Sequence, residues 1–94
     1  MNNERTSKRE AFVAATGRFP NFELSIRRLL ETDENFRDIC EELAEAEYAL
    51  SAVETMPDAL RGVRRAEWQE LIDRLVCEVE AAIRSDPSAG MRLE

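Results

Sequence analysis

A proline at position 57 splits this chain into two stretches, 33–55 and 58–84, and each carries a single apolar seam. In the first, Phe36, Leu43 and Leu50 recur every seven residues, with Ile39, Ala46 and Val53 three positions after each. A sevenfold apolar repeat belongs to helices that bury one stripe against other helices. The second stretch carries Trp68, Ile72, Leu75, Val79 and Ala82, with Leu71, Val76 and Ile83 widening the stripe. Proline cannot donate a hydrogen bond into a preceding helix but is tolerated in a first turn, so Met56-Pro57-Asp58 reads as the turn. The expected fold is all-α: an antiparallel, coiled-coil-like helical hairpin, preceded by one or two short helices and completed to a bundle by self-association. The seams set architecture and say little about chemistry.

The turn also sets a register. In an antiparallel hairpin, Leu43 is expected near Leu75 or Val76, Leu50 near Trp68, and Phe36 near 79–83. Cys40 and Cys77 then fall at the same height on facing helices. Gly62 near the start of the return helix costs about 1 kcal/mol relative to alanine and marks either a kink or a false start.

Before the seams, residues 1–7 are polar and read as disordered. Residues 8–16 contain good helix formers, and Gly17 suits a helix end in the left-handed conformation. This short helix offers Phe12 and Val13 for docking. Phe19-Pro20-Asn21 then reads as a stop and restart, with Asn21 as a cap and Glu23 in the first turn. A helix over 21–31 places Phe22, Ile26, Leu29 and Leu30 on one face. Asp33 supplies the next cap. Ser85-Asp86-Pro87 ends the last helix. The domain reading is an N-terminal extension 1–18, a hairpin domain 19–85 and a C-terminal tail 86–94.

A hairpin of 94 residues or fewer buries little surface, and two helices meeting along one seam leave part of each apolar face wet. A third helix or a second copy of the chain is needed as cover. Self-association, to a dimer or higher, is therefore a physical expectation.

Net charge narrows the partners further. The chain carries −7, distributed as +3 over residues 1–30, −9 over 31–60 and −1 over 61–94. An acidic total argues against general nucleic-acid binding, which needs a basic surface to neutralise phosphates. No apolar run approaches the length of a membrane span, and no hydrophobic stretch of a secretory signal follows Met1. The expected location is the cytoplasm, where two cysteines are thiols rather than a staple.

Zero histidines remove much of ordinary enzymology. Serine and cysteine nucleophiles usually need an imidazole base, and structural zinc sites use Cys and His clusters. Glu42/Glu45 and Glu67/Glu70 form Glu-x-x-Glu pairs, but di-iron bundles also need Glu-x-x-His. No catalytic residue, metal site or cofactor is expected. Three groups of side chains remain as candidates. Phe12, Phe22 and Ile26 are candidates for a subunit or partner contact. Arg61, Arg64 and Arg65 form one basic edge at i, i+3 and i+4, and Arg27-Arg28 another; they pair with acidic helix 41–54 or serve a nucleic-acid-associated regulator. Cys40 and Cys77 are either two small hydrophobes beside the seam or a redox-switched pair.

From Phe19 onward, the string Phe19-Pro20, Phe22, Ile26, Arg28-Leu29, Phe36, Ile39 and Glu41 resembles the YdcH-like family of small bacterial helical-hairpin proteins. The string stands in a register without gaps and covers about twenty residues, while the hairpin pattern extends over 19–84. The resemblance implies a self-associating antiparallel hairpin with no catalytic residues to transfer. The N-terminal extension and a return helix poor in lysine depart from that family. The reading that follows is a non-enzymatic, homo-oligomeric protein–protein interaction module.

Overall fold

A computed structural model describes residues 3–86, with side chains from Lys8 onward. Four α-helices follow in order: α1 (Asn3–Arg18), α2 (Glu23–Thr32), α3 (Glu34–Ala52) and α4 (Asp58–Ser85). Short 3-10 turns, Pro20–Phe22 and Val53–Thr55, precede α2 and follow α3. No strand occurs among the described residues, so the fold class is all-α. Of the tail expected over 86–94, residues 87–94 lie outside them.

Local chemistry explains most boundaries. The Phe36 backbone N–H donates to Asp33 Oδ1 at 3.1 Å, which caps the first turn of α3. Replacing Asp33 with alanine is expected to lower unfolding free energy by about 0.5–2 kcal/mol, read by thermal melting. Pro57 stands immediately before α4, where its missing N–H costs nothing. Gly62 does not interrupt α4, which runs for 28 residues.

Two expected boundaries differ. Gly17 does not end α1 in a left-handed conformation; the helix continues to Arg18, and no described glycine has positive φ. Asn21 is not the cap of α2, because Pro20 starts a 3-10 turn that contains Asn21, and no side chain caps α2. The first helix also begins at Asn3, earlier than the start expected at Lys8.

The seams form the core. Phe36, Cys40, Leu43 and Ala46 of α3 are buried with Ile72, Leu75, Val79 and Ile83 of α4. Ile39, Leu50 and Trp68 pack partly buried against them. A third contributor is α1, whose Ala11 and Ala15 are fully buried in the same cluster, with Ala14 nearly so. Residues 11–15 of α1 therefore belong to the same core as the hairpin. The alanines let α1 lie close on α3, and these two helices form the second most extensive contact after α3 with α4. Ile26 of α2 completes the cluster.

The seam that sequence reading left half-wet is thus covered from within the chain. Cover stops short of the far end: no residue between Asp58 and Leu71 is buried. No described helix is long and apolar enough to cross a membrane.

Candidate functional site

Helices α1 and α4 both lie against α3 and make little contact with each other. The gap between them is an open groove of about 1210 Å³. Its floor is α3, through Ala44, Glu45, Glu47 and Tyr48; α1 supplies one wall through Val13, Ala14 and Gly17, and α4 the other through Val76 and Glu80. Phe19 closes it near the end of α1. Small residues, Ala14, Gly17 and Ala44, line it, and a Cβ added at Gly17 would meet nothing within 4 Å.

Two apolar residues stand out of this groove into solvent. Tyr48 is 77% exposed and Val13 is 60% exposed. Aromatic side chains placed this way are common interface anchors, because they bring large contact area at low entropy cost. Charge is uneven around the rim. The α1 side bears Arg9, Glu10 and Arg18, whereas Glu45, Glu47 and Glu80 line the α3 and α4 sides. Arg18 Nε donates to Glu47 Oε2 at 2.8 Å and ties α1 to α3. Being partly exposed, that pair contributes roughly 0.2–1 kcal/mol.

The side chains singled out from sequence fall elsewhere. Ile26 is fully buried within the single chain and is not available to a partner. Phe12 is half-buried against the core, with the Arg27 guanidinium 4.8 Å above its ring. Only Phe22 of that trio is exposed. The arginine edge is already engaged: Arg61 with Asp58 at 2.9 Å, Arg64 with Glu67 at 2.9 Å and Arg65 with Glu54 at 2.8 Å. Arg27 pairs with Glu23 at 2.8 Å. A phosphate would have to compete with each of these carboxylates. No described group of three or more His, Cys, Asp or Glu is placed to hold a metal ion.

The structure also separates the two cysteines. Cys40 is buried, Cys77 is exposed, and both are free thiols. Cys77 lies two residues from both Leu75 and Val79, about 200° around the helix from each, so it faces away from the core. Equal height on neighbouring helices is not enough for a disulfide when one thiol points outward. The redox pair is corrected on this ground. Burial, and secondarily the charge of Glu41, pushes the Cys40 thiol from 9.0 up to about 12. The unfolded chain releases that proton near pH 9 and the folded chain only near 12. Cys40 therefore favours folding below pH 9, and its contribution fades as pH rises towards 12. Iodoacetamide at pH 8 is expected to modify Cys77 and to spare Cys40 until the protein unfolds. Equal modification of both in the native protein contradicts the placement of Cys40.

From sequence Tyr48 reads, with Trp68, as a packing residue near the hairpin end; in the structure it is mostly in water. A signal existed: Tyr48 lies five residues after Leu43 and two before Leu50, at the outward position of the repeat. Val13 was noticed, but not its place on a groove wall. The YdcH-like resemblance rests on the string from Phe19 to Glu41 alone: no family model, curated protein or solved structure matches this chain.

Proposed function

We propose that this protein is a non-enzymatic helical interaction module that associates with a second copy of itself through the groove over α3. In this reading α3 and α4 form an antiparallel, coiled-coil-like hairpin, and the open side of α3 is the face that a partner covers. One observation carries it: Tyr48, 77% exposed, stands at an open trough whose other lining includes Val13, Phe19 and Val76. Exposed apolar side chains scattered singly need no explanation, but an aromatic beside an apolar trough has the form of an interface anchor and its pocket.

Gly17→Leu tests the proposal. Gly17 lines the groove and has open space where a Cβ would sit, so a leucine there adds bulk to the groove wall without a clash at its Cβ. Charge is unchanged, and loss of a helical glycine adds up to about 1 kcal/mol of helix propensity. Light scattering at micromolar concentration is expected to give a dimer or larger species for the natural chain. The Gly17→Leu variant is expected to be a monomer whose helical circular dichroism matches that of the parent. A monomeric natural chain sinks the proposal, as does a variant that associates as tightly as its parent.

A further inference from the structure

The charge pattern of the groove points to one way of joining two copies, and we infer that α1 of each protomer lies over α4 of its partner, with Arg9 facing Glu80 across the interface in both directions. This inference rests on self-association through the groove. Three helices lie side by side, with α3 between α1 and α4. Two such faces can be brought together about a two-fold axis in either of two ways. An axis across the helices sets α1 on α1 and α4 on α4. An axis along α3 sets α1 on α4, twice.

Electrostatics separates these arrangements. Two of the three charged residues on the α1 side of the groove are basic, and all three on the α3 and α4 sides are acidic. The first arrangement lays the mainly basic α1 wall on itself and the acidic α4 wall on itself. The second lays the α1 wall on the α4 wall twice, so opposite charges meet there; α3 lies on α3 in both arrangements, so Glu45 and Glu47 do not separate them. Arg18 is already held by Glu47, which leaves Arg9 as the basic group on that wall without an ion pair among the described residues. Glu80 accepts from Arg84 at 2.7 Å in an exposed i, i+4 pair, which is weak enough to be shared.

Height along the groove agrees. Helix α1 contacts α3 extensively although its last residue, Arg18, meets Glu47 near the end of α3, so the two helices run alongside in the same direction, with Arg18 level with Glu47. Arg9, half a helix earlier, then lies at the other end of the groove, the end reached by Glu80 near the close of α4. An axis along α3 preserves height, so Arg9 meets the same level of the partner. The two Tyr48 rings, also at matching height, come together beside the axis at the Arg18 end of the trough.

Mixing two charge-reversed variants tests the pairing. Arg9→Glu alone and Glu80→Lys alone each place like charges in contact, and each is expected to weaken its homodimer by at least about tenfold in sedimentation velocity. An equimolar mixture of the two is expected to dimerise as tightly as the natural chain, because both contacts are then opposite in sign. Circular dichroism confirms that each variant is folded before mixing. Single variants that dimerise as well as the parent overturn the pairing, and so does a mixture no tighter than its components. Loss of association in Gly17→Leu together with neutral charge variants leaves the groove as interface and removes only this geometry. A monomeric natural chain removes both.

Discussion

Replacing Ala15 with glutamate is expected to unfold the protein or to lower its stability by several kcal/mol. Ala15 is fully buried where α1 meets α3. A carboxylate there has neither room nor a partner, and an ion taken out of water costs several kcal/mol even after relaxation. Val13→Glu supplies the matched control, with the same charge change on the same helix two residues away. Val13 is 60% exposed, so its replacement is expected to stay within about 0.5 kcal/mol of the parent. Urea titrations of both variants measure the contrast directly. Equal midpoints would falsify the docking of α1 on α3.

Truncating Phe36 to alanine is the second large effect. Phe36 is 1% exposed and begins the seam of α3, within its capped first turn. Loss of a buried phenyl ring removes its transfer free energy and leaves a cavity that neighbours only partly fill, about 3–5 kcal/mol in total. Small domains have only about 5–15 kcal/mol to lose, so the variant retains at best a fraction of native stability. For a chain of this size each kcal/mol lowers the melting temperature by roughly 4–8 °C. A melting temperature within a few degrees of the parent would show that the ring is not the core element its burial implies. Tyr48→Ala on the same helix is expected to leave the melting temperature of the monomer nearly unchanged, because that ring is mostly in water.

These two variants mark where sequence was informative and where it was not. Phe36, Leu43, Ile72, Leu75 and Val79 were legible because bulky apolar residues at heptad spacing have few other uses. The Met56-Pro57 break and the Asp33 cap were legible for local reasons, since each depends on residues within a few positions. The role of α1 was not. Its core residues are alanines, which also fill exposed helix positions, so they carry no clear burial signal. The conspicuous apolar residues of α1, Phe12 and Val13, lie beside the contact. With α1 uncounted, the shortage of cover was overstated and Ile26 was assigned to a partner rather than to the chain's own core.

The groove was illegible for a related reason. It is defined by what α1 and α4 fail to fill, and its floor and walls combine residues from three helices distant in sequence. Heptad position alone places Tyr48 outward, but nothing in the repeat says that a trough lies beside it. The cysteines show the complementary limit. Their equal height follows from the turn, yet a height is only half of a contact. Direction around each helix decided the outcome.

Tyr48 is the one tyrosine in the chain, which makes the interface itself observable. Hydroxyl-radical labelling of that ring, followed by mass spectrometry over a range of protein concentrations, measures whether a second copy covers the groove. The expected result is free labelling in dilute solution, protection as concentration rises, and no protection at any concentration in Gly17→Leu. Labelling of Tyr48 that stays constant across the range would contradict the groove over α3 as the surface where two copies meet.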